Sequence, residues 1–118
     1  PFPTQENIEL PLLKVIEESG GQLSLDEAVK KVTDIFDRLT EEDKTRRLAT
    51  GRKRWSNRVQ WARYRLLRKG ELDGSVWGVW KITAKGRARL LAEWSLWKPR
   101  YLEVRPREIE YHQLKVSR

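Results

Sequence analysis

One segment, residues 51–70, constrains what this chain can fold into more than any other. Its sequence, GRKRWSNRVQWARYRLLRKG, holds eight Lys and Arg residues, two tryptophans and no carboxylate. Drawn as a helix with 100° per residue, residues 56–69 place Val59, Ala62 and Leu66 on one face, and Trp55 extends that stripe. We therefore predict a helix that packs one face on a protein core and leaves a polar, cationic face outside.

The opposite face of this predicted helix carries planar and hydrogen-bonding side chains, which are Asn57, Gln60, Trp61, Tyr64 and Arg68. A purely structural helix does not need an amide pair and two aromatic rings on its outer face. The face is either a binding surface or, for Trp61 and Tyr64, a surface that the terminal segments cover. Asn57 has a second interpretation as the N-cap of the helix, because Asn is a favoured capping residue.

The charge of the chain is divided along its length. Residues 1–43 carry a net −7, residues 44–70 a net +11 and residues 71–118 a net +4, for a total of +8. A block of one sign with interleaved aromatic residues is typical of proteins that bind a polyanion, most often nucleic acid. The alternative is a solvated face. An anionic membrane surface is excluded, because the apolar side that it would need is required for the core.

Composition excludes several other classes of protein. The 118 residues suit a single domain, and they contain no cysteine and one histidine, His112. Disulfides and a Cys/His metal site are therefore excluded, and only carboxylate-bound magnesium stays open. Without a signal-like or membrane-spanning apolar run, the sequence predicts a cytoplasmic protein with no cofactor. We interpret Pro1 as a native start after removal of an initiator methionine.

Three segments before the basic helix show helical patterns. Residues 7–21 predict a first helix, in which Pro11 is tolerable only in the first turn. Residues 24–39 predict a second helix that opens with Ser24 in a capping box. Residues 40–48 open with another such box and predict one or two further turns.

The residues after Gly70 predict a β-hairpin with its tip at 75–78, followed by a fourth helix that Thr83 caps. Trp80 and Trp94 are expected to fill the core.

The tail favours a strand at 101–105 and a helix that starts at Pro106. We divide the chain into a winged-helix domain, 1–94, and an extension or linker, 95–118.

Two helices, a basic helix and a hairpin in this order predict a mainly α fold with a small β-hairpin, the winged helix-turn-helix. In that fold the third helix enters the major groove of double-stranded DNA and the hairpin touches the flanking backbone. Three stretches, LPLLKVIEESGG, NRVQWARYRLLRKGEL and GVWKITAKGRARL, also resemble the amino-terminal domain of Mrr-type, modification-dependent restriction endonucleases. The resemblance covers roughly residues 3–91. It implies a DNA-reading domain joined by a linker to a nuclease domain, which would lie beyond Arg118.

The chain itself offers no convincing nuclease site. A nuclease of this kind needs an acidic residue and a carboxylate or glutamine two positions before a lysine, so that metal and lysine polarise the phosphate. Gln113 and Lys115 with Asp73 have the residue types, but Asp73 belongs to the hairpin. Nothing else resembles a nucleophile paired with a base, and no glycine-rich phosphate loop is present. We therefore expect no catalytic residue in this chain.

The predicted DNA contacts divide into phosphate and base contacts. Phosphates are assigned to the basic loop, Arg52, Lys53 and Arg54, and to the amino end of the helix. Asn57 and Gln60 are assigned to adenine, and Arg54 or Arg58 to guanine. Trp55 and Trp77 are assigned to the 5-methyl group of a modified cytosine, although Trp55 could instead fill the core. Base flipping is disfavoured, because it needs a deep polar pocket that a small winged helix seldom has room for. The predicted site comprises Arg52, Lys53, Arg54, Trp55, Ser56, Asn57, Arg58, Gln60, Trp61, Tyr64, Arg68, Ser75 and Trp77.

Two other functions remain open at this stage. A winged-helix transcriptional regulator would use the tail to form a homodimer on a palindromic site. A protein-interaction winged helix would bind an acidic partner through the same basic helix and would show little affinity for DNA.

Overall fold

The chain folds into α-helices joined by short strands, in a computed structural model that describes residues 2–102. In chain order the elements are β1 (Phe2–Pro3), α1 (Gln5–Glu18), β2 (Gln22–Ser24), α2 (Leu25–Ile35), α3 (Glu41–Thr45), α4 (Arg54–Arg68), β3 (Leu72–Asp73), β4 (Val79–Ile82), α5 (Ala84–Glu93) and β5 (Tyr101–Leu102), with a 3-10 turn at Trp94–Leu96. Threonine or serine side chains cap four of these helices, as the capping patterns indicated at Ser24, Thr40 and Thr83.

A three-stranded antiparallel sheet in the order β2, β4, β3 lies beside the helices. Leu23 pairs with Trp80 and Leu72 with Ile82, and all four side chains are buried on the inner face of the sheet. The sequence predicted only the β3–β4 hairpin. It missed β2 because three residues are too few to show alternation, and this strand ends directly at the N-cap of α2. The predicted mainly α, winged helix-turn-helix fold is confirmed.

Helix α1 packs against α2, α4 and α5, and the short helix α3 packs against α4. Residues 36–53 connect α2 to α4 and include α3. The core lies between the helices and the sheet, and its fully buried apolar side chains include Ile8, Leu12, Leu13, Ile16, Ala28, Val32, Phe36, Val59, Ala62 and Leu66. Trp80 is buried as predicted, whereas Trp94 is only half-buried, at the edge of this core.

Pro11 lies in the middle of α1, and the prediction that it belongs to a first turn is wrong. A proline has no amide hydrogen for the carbonyl four residues earlier, which here is that of Asn7. The Asn7 carbonyl instead accepts a hydrogen bond of 2.9 Å from Nε1 of Trp97. The helix continues through Pro11 because an indole group replaces the missing amide donor.

Asn7 also binds the segment after α5 to α1. The Asn7 side chain donates to the Lys98 carbonyl at 2.9 Å and accepts from the Arg100 amide at 2.7 Å. Tyr101 then pairs with Pro3 in a two-stranded sheet of β5 and β1. The packed body therefore continues past residue 94, where the sequence placed the end of the domain.

The predicted strand at 101–105 starts where β5 starts. The rest of that strand and the predicted helix at Pro106 lie outside the described residues.

Replacing Trp97 by phenylalanine is expected to lower the free energy of unfolding by about 1–3 kcal/mol, because it leaves the part-buried Asn7 carbonyl without a donor. The same change in a Pro11→Ala background should cost less, since the new amide of residue 11 can reach that carbonyl. Urea unfolding of the four proteins gives the coupling energy, and the cycle cancels the lost ring contacts that both backgrounds share. An equal cost of Trp97→Phe in both backgrounds would contradict this role of the indole.

Candidate nucleic-acid interface

Helix α4 buries Trp55, Val59, Ala62 and Leu66 along one stripe, as its sequence predicted. The helix starts at Arg54, two residues before the predicted start, with Lys53 as its N-cap residue. The N-cap interpretation of Asn57 is therefore wrong. Its amide donates to the Lys53 carbonyl at 3.0 Å as part of the first turn, and its side chain is half-buried on the outer side.

The outward face of α4 presents Gln60, Trp61, Tyr64 and Arg68 to solvent. Trp61 and Tyr64 keep 49 % and 48 % of their surface exposed, so no segment within residues 2–102 covers them. Their rings meet edge to face with centroids 5.7 Å apart, and the Arg68 guanidinium lies 5.9 Å from the Tyr64 ring centroid. These contacts arrange two aromatic rings and a cation side by side on an open surface.

The loop before α4 is held in a defined shape. Arg47 and Lys53 form an antiparallel bridge, the Leu48 amide donates to the Arg52 carbonyl at 2.8 Å, and the Arg47 Nη1 donates to the Gly51 carbonyl at 2.6 Å. An open cavity of about 410 Å³ lies between this loop and the first turns of α4, and it is lined by Arg47, Arg52, Lys53, Ser56, Asn57 and Gln60. None of these six residues is acidic, so the cavity suits an anion.

Five of the six lining residues belong to the predicted site. Arg47 was missed because the sequence placed it in a short helical segment that ends near Leu48. The structure ends α3 at Thr45 and folds Arg47 back beside the start of α4.

Two predicted DNA contacts, Arg54 and Arg58, do not lie on the outward face. Their guanidinium groups lie over the ring of Phe2, 4.7 and 4.8 Å from its centroid, and Arg58 Nη1 donates to the Pro3 carbonyl at 3.1 Å. Burial lowers the pKa of both arginines, and neighbouring positive charge, from Arg46 and Arg54 respectively, lowers it further. The prediction that they read guanine is corrected, because β1 occupies this flank of α4.

Trp55 is also corrected as a candidate methyl reader. Its side chain is only 2 % exposed and meets Phe2 and Phe36 edge to face, at 5.5 and 5.7 Å. Its Nε1 donates to the Thr33 hydroxyl at 2.8 Å, which ties α4 to α2. Trp55 therefore sets the position of the helix and cannot contact a base from the core.

A buried carboxylate, Glu9, fixes the carboxyl half of α4 and was not singled out in the sequence. It is 0 % exposed, and it accepts hydrogen bonds from Arg65 Nε at 2.8 Å, Lys69 Nζ at 2.6 Å and Arg89 Nη1 at 2.8 Å. Arg89 also donates to Glu71 at 2.7 Å. Burial alone would raise the pKa of Glu9, but the hydrogen bonds from Lys69, Arg65 and Arg89 outweigh it and hold the pKa below its usual value.

The β3–β4 turn, the wing, projects a tryptophan into solvent. The Asp73 carboxylate accepts from the Ser75 amide at 2.8 Å, which lowers its pKa, and the Val79 amide donates to the Val76 carbonyl at 3.2 Å. Trp77 sits at the apex and is 96 % exposed. Ser75 and Trp77 are both exposed at the tip of the hairpin.

Residues 2–102 contain neither a membrane-spanning helix nor a metal-binding cluster. No helix within residues 2–102 is both long and apolar enough to cross a bilayer. In the same range no cluster of three or more His, Cys, Asp or Glu side chains could hold a metal ion. Gln113 and Lys115, the weak nuclease candidates, lie outside this range. Asp73, their suggested partner, accepts a hydrogen bond from the Ser75 amide within the wing.

A winged helix-turn-helix with a basic, aromatic outward face is the class that this architecture defines. The family model described as the Mrr N-terminal domain matches residues 6–92, and the chain belongs to this family. The resemblance seen in the sequence is confirmed, and it associates the chain with Mrr-type restriction systems. No curated protein and no solved structure matches the chain.

Proposed function

We propose that this chain binds double-stranded DNA and acts as the target-recognition module of a restriction endonuclease. In this proposal α4 enters the major groove with its outward face towards the bases, and the wing lies against the flanking backbone. A nuclease domain elsewhere in the full-length protein would cut the DNA, and this chain contributes reading alone.

One observation carries the proposal: the outward face of α4 is exposed to solvent and adjoins a cationic cavity. The cations on one flank of α4 are already engaged, since Arg58 donates to Pro3 of β1 and Arg65 and Lys69 pair with Glu9. The outward face beside this flank keeps its amides and rings for a ligand. A DNA duplex matches this arrangement, because its phosphates can meet the cations at one end of the helix and its base edges can meet the planar, hydrogen-bonding groups along the outward face.

The cavity residues Arg47, Arg52 and Lys53 would bind phosphates next to the positive end of the α4 dipole. Asn57 and Gln60 follow along the same face, and both side chains have the geometry that pairs with the N6 and N7 edge of adenine. Each such pair is worth about 1–3 kcal/mol of discrimination against the wrong base. We therefore assign affinity to the loop and sequence preference to the amides.

Reading of 5-methylcytosine is the finer part of the proposal. A 5-methyl group adds apolar surface in the major groove, and an aromatic ring can cover it without displacing a hydrogen bond. Trp55 is buried, so this role passes to the exposed pair Trp61 and Tyr64 on α4, with Trp77 available from the wing. The methyl group would then meet a ring that already stands in solvent.

The test is binding of matched duplexes, unmodified, cytosine-methylated and adenine-methylated, measured by fluorescence anisotropy across a salt series. We expect affinity to fall steeply with salt and to be at least about fivefold higher for cytosine-methylated DNA, from the lower end of the discrimination for one base contact. Equal affinity for all three duplexes would remove the methyl-reading part. Absence of binding at low salt would overturn DNA binding and favour a protein-interaction winged helix.

A winged-helix regulator that dimerises through its tail is the other candidate. Within the described residues the tail turns back on its own chain, since β5 pairs with β1 and Asn7 binds Lys98 and Arg100. Residues 95–102 are thereby used inside one chain. A two-fold symmetric footprint from a stable dimer in solution would nevertheless favour the regulator.

A further inference from the structure

Arg63 lies on the flank of α4 that faces the wing, and it is not among the predicted DNA contacts. Its guanidinium stacks over the indole of the buried Trp80, 5.2 Å from the ring centroid. Its Nη2 lies 3.1 Å from the point where a Cβ on Gly74 would stand, so the charged end of the side chain reaches the base of the wing. Arg63 therefore occupies the notch between the recognition helix and the hairpin.

The guanidinium of Arg63 lacks the partners that other arginines of this protein have. Arg65, Arg87 and Arg89 each contact a carboxylate, at 2.8, 2.6 and 2.7 Å. Among residues 2–102 no carboxylate lies within 4.0 Å of Arg63, and its buried Nε has no hydrogen-bond acceptor. A buried donor without an acceptor is rare in folded proteins and calls for an explanation.

Stacking on Trp80 fixes the plane of the guanidinium group, and because Nε is buried, the two Nη groups are the donors left for a ligand. A planar fork of donors matches the two free oxygens of a phosphate, and little side-chain freedom is lost when the fork is already held by a ring. An arginine kept only for packing would not need its charge in a place with no counter-charge. The geometry therefore suits an anion that arrives from outside.

We propose that Arg63 binds one backbone phosphate of the duplex in the notch between α4 and the wing. This inference rests on the proposed DNA binding and adds a contact that neither the basic loop nor the outward face supplies. The phosphate oxygens accept hydrogen bonds from the Arg63 donors. This contact links the DNA strand that lies against α4 to the hairpin. That contact sets where the tip with Ser75 and Trp77 lies along the DNA.

The helical wheel explains why this residue was overlooked. Arg63 lies 120° away from Asn57, between the outward face and the apolar stripe. Only the approach of β3 and β4 to α4 turns that flank into one wall of a notch. A long-range contact of this kind leaves no signal in the local sequence.

The experiment compares Arg63→Gln, Arg63→Lys and a control, Arg87→Gln, with the wild type on one duplex across a salt series. Arg87 is a matched control because it is ion-paired to Glu17 on another part of the surface. Arg63→Gln should flatten the slope of log K against log salt by about 0.9, the value for one lost phosphate contact, and weaken binding about tenfold. Arg63→Lys should keep the slope and bind more weakly than the wild type, because a lysine lacks the fork.

Wild-type slope and affinity in Arg63→Gln would overturn the inference. Thermal unfolding shows whether each variant folds. If Arg63→Gln does not fold, Arg63→Lys decides the matter, since wild-type affinity in that variant would also overturn the inference. Failure of the wild type itself to bind DNA would instead refute the proposed function.

Discussion

Replacing Glu9 by glutamine is expected to lower the free energy of unfolding by about 3–5 kcal/mol, the cost of breaking a buried ion pair from one side. Both carboxylate oxygens accept short hydrogen bonds from cations, and the side chain is fully buried. An amide removes the charge and turns an NH₂ group towards one of these cations. The carboxyl half of α4 would lose its attachment to α1 and α5.

Glu6→Gln is the matched control for this change. Glu6 is also on α1 and lies 3.6 Å from Arg65, but its side chain is 78 % exposed. An exposed pair of this kind contributes about 0–1 kcal/mol. Urea unfolding of both variants, with comparable m-values, measures the difference. A loss below about 1 kcal/mol for Glu9→Gln would show that the buried network does not hold α4.

The same network predicts a pH dependence. The pKa of Glu9 is lower in the folded protein than its usual value of 4.5, so the unfolded chain binds more protons as the pH falls. The stability that Glu9 contributes is therefore complete above about pH 4.5 and is lost as the pH falls through the folded pKa. The difference in unfolding free energy between wild type and Glu9→Gln should shrink over that range, and a constant difference would contradict this linkage.

Local rules predicted the helices well. The apolar stripe of α4 and the capping residues Ser24, Thr40 and Thr83 depend on neighbours within one or two turns, and the structure reproduces each of them. The strand β2 and the passage of α1 through Pro11 were missed. Both depend on partners far along the chain, namely β4 and the indole of Trp97.

The candidate site divides in the same way. The outward face of α4 followed from the helical wheel, because it is opposite the apolar stripe. The wheel did not show which cations on the flanks are free to bind a ligand, because only tertiary contacts decide this. Glu9 and Arg65 are 56 residues apart, and Arg58 and Pro3 are 55 apart, so no local pattern reveals that these arginines are engaged. Counting charges along residues 44–70 therefore overestimates the cations that a ligand can meet.

Neutralising the basic loop is expected to have the largest effect on DNA binding. The variant Arg47→Gln, Arg52→Gln, Lys53→Gln removes three cations that line the cavity beside the first turns of α4. If each binds one phosphate, the slope of log K against log salt should flatten by about 2.7, since each contact contributes about 0.9. Affinity near physiological salt should fall on the order of a hundredfold, because these phosphate contacts supply most of the non-specific attraction.

The control removes the same total charge elsewhere. Lys14→Gln, Arg87→Gln, Lys98→Gln takes three cations from α1, α5 and the segment after α5, two of which are ion-paired to glutamates. A general attraction between a basic protein and DNA would weaken equally in both triple variants. Binding through α4 and its loop would weaken only in the first.

The most direct measurement is the salt dependence of duplex affinity for the wild type and these two triple variants, made with one duplex and one buffer series. We expect a flattened slope and a large loss of affinity for the loop variant, and wild-type values for the control. Equal slopes for all three proteins would contradict the assignment of this face to DNA.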